Sequence, residues 1–183
     1  MRKEDIERYL AALGQELQDL GLRKPVRILV IGGAFMLTQL HNRANTNDID
    51  VLLKDTDSPA SPLYGIFKTA AHTVANKNKL SRSWINDVIG DFVRDVSIIP
   101  QGTLWQKYAM LEVYIPPSEY ILALKLLAGR QKDKPDIQAL CQQLHIQTRQ
   151  QAQQLVDRYI PDQQVQQMND LADTLDDFFP QSL

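Results

Sequence analysis

The sequence predicts an α/β (α+β) protein: a small mixed sheet flanked by helices, with a C-terminal helical extension. Three observations carry that class. Short β-rich apolar runs, Val26–Ile31 and Asp48–Leu53, recur in the first half and are bounded by turn-forming residues. Apolar residues at intervals of three and four, one face of a helix, precede the first run and dominate everything after Pro116. The last β-type run, Leu111–Ile115, marks where strands give way to helices, which predicts an α/β core over 1–115 and a helical region over 116–183 packed on it. A chain of 183 residues is long enough to bury such a core as one domain with an extension, or at most two small domains.

Each element has its own signal. Ile6, Leu10, Leu13, Leu17 and Leu20 predict an amphipathic first helix that Gly21 ends. Val26–Ile31 has no polar residue after Arg27 and stops at Gly32 and Gly33, so a strand should turn sharply there into a helix over Ala34–Leu40. In the next strand, alternation puts Asp48 and Asp50 on one face, roughly 6 to 7 Å apart, and sends Ile49 and Val51 into the core. Lys54–Pro62, rich in Asp, Ser and Pro, reads as a surface loop, and Ile66, Phe67, Ala70 and Val74 resume helical spacing over Leu63–Ala75. Lys77, Lys79 and Arg82 read as a solvated helix end in preference to a nucleic-acid contact. Val96–Ile99 and Leu111–Ile115, bounded by Pro100 and Pro116, fit later strands of the sheet. The helix expected over Glu119–Gly129 has Tyr120, Ile121, Leu124, Leu127 and Ala128 on its apolar face. Asp133 is placed to cap the following helix, with Pro135 in its first turn. Two more helices follow Thr148 and Pro161, glutamine-rich but too regular in their apolar spacing to be low complexity.

Composition removes several function classes. A formal net charge of −2 gives no global nucleic-acid footprint, so any RNA contact must be local. The single Cys141 excludes an internal disulfide, and its place among Ile137, Leu140 and Leu144 reads as a buried thiol suited to a reducing cytoplasm. His41, His72 and His145 lie far apart without partners at zinc spacing. The charged start MRKEDIERYL and the lack of a long apolar run predict a soluble, cytoplasmic protein with no membrane partner.

The chemistry concentrates in Ile31–Leu53. Two carboxylates on one face repel unless a cation lies between them, and hard divalent ions with oxygen ligands fit best, Mg²⁺ (or Mn²⁺) first. A glycine turn opening a helix attracts phosphate, so a triphosphate seated there would lie beside the ion. Competing phosphate motifs fail: there is no P-loop, and GGAFML is not GxGxxG.

This spacing of glycine pair, helix, Asp48 and Asp50 resembles the signature of the DNA polymerase β-like nucleotidyltransferase superfamily. Within it, the words GGAFML, Arg43 with Thr46, DIDVLL, WIND and PSEYILALKLLAGRQKDKPDI look like the nucleotidyltransferase toxins of type IV toxin–antitoxin systems (abortive-infection type) and their small bacterial relatives, across residues 26–140. The resemblance implies a nucleotidyltransferase fold and transfer of a nucleoside monophosphate from an NTP to a hydroxyl acceptor (RNA, protein or small molecule) by a two-metal mechanism. It implies Mg²⁺ or Mn²⁺ on Asp48 and Asp50, catalysis by Asp48, Asp50, Asp87 and Lys125, and nucleotide contacts from Gly32, Gly33, Arg43, Thr46, Lys125, Arg130 and Asp136.

Two readings stay open at several of these positions. Lys125 sits in a nearly apolar helix, where it either snorkels to water or neutralises phosphate, and the resemblance favours phosphate. Arg130 and Asp136 either form ion pairs and helix-end contacts or complete the pocket. The third carboxylate of such a site has three candidates, Asp87, Asp95 and Glu112, of which Asp87 is chosen for its place in WIND. The rival to an enzyme is a catalytically inactive nucleotide sensor or one half of a toxin–antitoxin pair with a cognate antitoxin. A purely structural domain would leave Asp48 and Asp50 without a metal.

Overall fold

The computed structural model describes residues 1–55 and 60–180. Helix α1 (Lys3–Asp19) starts where the Arg2 backbone N–H donates to the Asp5 carboxylate at 3.0 Å, and it buries Ile6, Tyr9, Leu10, Leu13 and Leu17. Strand β1 (Val26–Ile31) turns at Gly32 into a short helix α2 (Gly32–Phe35). The regular helix expected over Ala34–Leu40 instead widens into a π-helical turn over Met36–Leu40, which left-handed backbone at His41 ends. The Thr38 hydroxyl donates to the Ala34 carbonyl at 2.8 Å, the kind of back-bond that competes with the helical ladder.

Strand β2 (Ile49–Leu53) is antiparallel to β1 and begins one residue later than expected, leaving Asp48 in the bend before it. Most of the loop expected over 54–62 lies outside the described residues. Helix α3 (Pro62–Asn78) carries proline in its first turn and ends at Lys79. The basic segment after it is a helix end, and Lys77 forms an ion pair with Glu16 of α1. A two-residue strand, β3 (Ile85–Asn86), runs parallel to β2, then comes helix α4 (Ile89–Val96). The hairpin of β4 (Thr103–Tyr108) and β5 (Leu111–Ile115) places β5 parallel to β1. Among the described residues the sheet has five strands in the order β3-β2-β1-β5-β4, a mixed sheet as predicted.

One sheet face presents Val26, Ile28, Val30, Ile49, Val51, Leu53, Leu111 and Val113 to Leu10, Leu13 and Leu17 of α1 and Phe67, Ala70 and Val74 of α3. Trp84 closes this core, with its indole N–H on the Ala71 carbonyl at 3.0 Å and Tyr9 edge-on at 5.9 Å between centroids. On the opposite face lie the alternate residues, including Leu29, Ile31, Asp50 and Asn86.

The strand expected over Val96–Ile99 is not one. Val93 is buried and Asp95 exposed on α4, the Ser97 N–H closes on the Val93 carbonyl at 3.0 Å, and the Ile98 N–H donates to the Tyr159 carbonyl at 2.7 Å. Two strands are not expected from the sequence: β3, too short to show a period, and β4, whose side chains are mostly exposed and whose register is broken between Leu104 and Gln106.

Contacts divide the chain into two compact units, Met1–Asp91 with Gln101–Pro116, and Phe92–Pro100 with Pro117–Leu183. The second contains α5 (Ser118–Ala128), a 3₁₀ turn (Gln131–Asp133), α6 (Lys134–Leu144), α7 (Arg149–Tyr159), α8 (Gln163–Met168) and α9 (Leu171–Phe178). Thr148 and Gln151 make a reciprocal capping box on α7, and Asp162 caps α8 through the Gln164 N–H at 2.8 Å. Where one helix was expected after Pro161 there are two, broken at the left-handed Asp170. The glutamines have defined partners: the Asp157 carboxylate accepts from Gln153 at 2.8 Å, Gln166 at 2.9 Å and Gln163 at 3.4 Å, and Gln166 also donates to the Ile160 carbonyl. No helix of the described residues is long and apolar enough to cross a membrane.

Candidate functional site

The end of β1 and the start of β2 meet at the glycine pair. Gly32 has φ +62°, and a Cβ built on it would lie 2.3 Å from Asp50 Oδ2. Both facts demand glycine: the backbone is left-handed, and the carboxylate fills the space a side chain would need. A Cβ on Gly33 would lie 2.7 Å from Thr46 Oγ1 and 3.3 Å from Arg43 Nη1. Five of the residues named from the sequence, Gly32, Gly33, Arg43, Thr46 and Asp50, are therefore brought together.

The loop carrying Arg43 and Thr46 is held from two sides. Thr46 is buried, its hydroxyl donates to the Asp48 carbonyl at 3.0 Å, and its backbone exchanges hydrogen bonds with that of Met1. Asp48 and Asp50 are both half-buried.

Sequence reasoning missed Asn86. The β2–β3 register sets it directly opposite Asp50, and its side-chain amide donates to Asp50 Oδ1 at 3.0 Å. The signal was the third letter of WIND, but a strand of two residues has no periodicity to reveal which residue shares a face with Asp50.

Of the three candidate third carboxylates, two are engaged in ion pairs. Asp87 forms an ion pair with Lys68 of α3 at 2.7 Å. Beside it, burial and then the hydrogen bond to Asp87 push the Tyr64 hydroxyl up to about 12. Asp95 is exposed on α4, in the second unit. Glu112 is paired with Lys107 at 2.8 Å and accepts from the Tyr114 hydroxyl at 3.1 Å, and the Lys107 ammonium holds its carboxyl below the usual range. It stands opposite Arg27, four residues along β1 from Ile31, or about 13 Å from the Asp50 end of the sheet.

In the second unit, Lys125 does not snorkel. Its ammonium lies 2.8 Å from Asp133 and 2.8 Å from Asp136, and the three side chains are 9%, 9% and 2% exposed. Asp133 occupies the N-cap position of α6 but makes no capping bond with its side chain, which takes the ammonium instead. Arg130 is exposed.

No family model matches the chain, and neither a curated protein nor a solved structure does. The residues themselves carry the functional argument. Among the described residues no group of three or more His, Cys, Asp or Glu side chains is assembled for a metal. Asp48 and Asp50, two oxygen donors two residues apart, suit a hard cation that completes its shell with substrate phosphate and water, which is how Mg²⁺ binds in phosphate-handling sites.

Proposed function

We propose that this protein is a nucleotidyltransferase, which binds a nucleoside triphosphate with Mg²⁺ or Mn²⁺ at Asp48 and Asp50 and transfers the nucleoside monophosphate to a hydroxyl acceptor. The observation that carries this reading is the left-handed Gly32 set against the Asp50 carboxylate. It supports the reading because it sets a carboxylate directly against the glycine turn, where a divalent ion held by Asp50 would offset the repulsion between that carboxylate and a phosphate on the turn. A divalent ion bound there supplies charge stabilisation to the phosphates. The chain's own residues do the rest. The glycine turn seats the triphosphate, Arg43 and Thr46 border it beside Gly33, and the acceptor oxygen bonds to the α-phosphorus as the bond to pyrophosphate breaks. The acceptor proton passes to solvent or a base.

A specific observation favours a second reading, a nucleotide-binding protein without turnover, as a sensor or as one half of a toxin–antitoxin pair. The position opposite Asp50 holds an amide, Asn86, and the neighbouring Asp87 is already paired with Lys68. Incubation with each α-labelled NTP, Mg²⁺ and bacterial RNA or cell extract separates the two. Label transferred to a macromolecule by the wild type, and lost in Asp48→Asn/Asp50→Asn, supports the transferase. Tight NTP binding with no transfer supports the sensor. Neither binding nor transfer removes both.

A further inference from the structure

Asn86 is tied at both ends of its amide. Its Oδ1 accepts the Val88 backbone N–H at 3.2 Å, and an oxygen that accepts from an N–H leaves only the NH₂ end for the Asp50 carboxylate. The turn that bears it is anchored in turn. Asp87, the next residue, is clamped by Lys68 of α3, and the Lys68 ammonium lies over the Tyr64 ring at 5.6 Å. The strand register holds the backbone, since Asn86 stands opposite Asp50 and Ile85 opposite Ile49. A fixed donor therefore meets one oxygen of Asp50, while the other oxygen lies against Gly32.

We infer that Asn86 is a positioning residue of this site: by holding Asp50 Oδ1 it favours the Asp50 rotamer that presents Oδ2 to the glycine turn. This rests on the nucleotide and metal reading of Asp48 and Asp50 for its purpose, though not for its geometry. A carboxylate that rotates freely must be ordered when a cation binds. One already held by a neighbouring amide is not, and partners that orient a metal ligand in this way change affinity by about 10- to 100-fold when removed. A carboxylate at position 86 would do the opposite in the absence of metal, since two acceptor oxygens would face one another across 3.0 Å.

Two measurements on the full chain test this, with Mn²⁺ alone as the metal probe. In the metal-free protein, three-bond side-chain couplings report a single Asp50 rotamer in the wild type and rotamer averaging in Asn86→Ala. Asn86→Asp, which keeps an acceptor for the Val88 N–H and so protects the turn, averages likewise. By paramagnetic titration, folded Asn86→Ala binds Mn²⁺ about tenfold more weakly than the wild type, and Asn86→Asp, which keeps the Val88 hydrogen bond, separates this effect from loss of the turn. Asp50→Asn abolishes binding, and Asn86→Ala added to Asp50→Asn changes nothing further. A single Asp50 rotamer retained in both Asn86 variants, or wild-type Mn²⁺ affinity in folded Asn86→Ala, overturns the inference. Failure of the wild type to bind Mn²⁺ overturns the metal reading of the site instead, and the couplings then decide the role of Asn86 by themselves.

Discussion

Replacing Lys125 by methionine tests how the helical unit is held together. The side chain fills a similar volume, but the ammonium 2.8 Å from both Asp133 and Asp136 is gone, and those carboxylates are only 9% and 2% exposed. Removing one partner from a buried ion pair typically costs about 3–5 kcal/mol, because the remaining charge has lost both water and counter-ion. Asp133 keeps some access to water at 9% exposure, which places the expected loss at the lower end, about 3 kcal/mol. At roughly 2–4 °C per kcal/mol for a chain of this size, the melting temperature should fall by about 6–12 °C. Urea unfolding of Lys125→Met at 25 °C gives the free energy directly. The triple variant Lys125→Met/Asp133→Asn/Asp136→Asn should recover most of it, since buried ion pairs are often replaceable as a set. A single variant within about 1 kcal/mol of the wild type, or a triple variant no better than the single, would refute the reasoning. One practical consequence follows for any activity assay: a Lys125 variant that loses activity through its fold says nothing about phosphate contacts.

Other outcomes are expected from the same geometry. Gly32→Ala forces a side chain into left-handed backbone, at about 1–2 kcal/mol, and displaces the Asp50 carboxylate, so it should lower stability and abolish stabilisation by Mg²⁺ and NTP together. Gly65→Ala, in α3 with open space around its Cβ, should instead raise stability by about 0.5–1 kcal/mol in the same melts. The Cys141 thiol is half-buried and pushed up to about 11 by burial, so its reaction rate with a thiol reagent should keep climbing past pH 9; a plateau near pH 8.5 would contradict this. Burial raises the Asp157 carboxyl, but the amides of Gln166, Gln153 and Gln163 outweigh it and hold the group below its ordinary value. Its stabilisation is thus fully present above an unfolded pKa of about 3.9 and lost as pH falls through the lower folded value; Gln166→Met should flatten that acid limb in pH-dependent urea titrations.

How far the sequence could be read depended on the length of each element. α1, α3 and α5 declared themselves because several turns of apolar spacing point one way, and β1 because six residues end at a glycine pair. β4 hid because an edge strand has little to bury and its bulge breaks the alternation. α4 hid for a different reason: its eight residues carry Phe92 half-exposed and Val93 buried side by side, so Val96 to Ile99 looked like a β-run. The candidate site was half legible. Gly32, Gly33, Arg43, Thr46 and Asp50 are close in the chain, and local rules place them together. Asn86 comes from a strand thirty-six residues downstream of Asp50, and only the sheet register reveals it. For Lys125, the apolar helix around it announced an anomaly, but its two aspartate partners lie on the following turn and helix, beyond what spacing alone can assign.

The π-helical turn over Met36–Leu40 bears on how this chain tolerates changes in length. A ring closed from one residue to the fifth after it, where an α-helix closes to the fourth, is the form an α-turn takes when it absorbs one inserted residue without moving its ends. Deleting a single residue there should let the turn tighten to ordinary helix, leaving the glycine pair upstream and the Ile31–Asp50 register downstream undisturbed. Loss of a residue between Arg43 and Asp48 has no such reservoir, because Thr46 is fixed to Met1 through its backbone and to Asp48 through its hydroxyl. Gaps in related sequences should therefore collect in the helix after the glycines and avoid the loop that follows it.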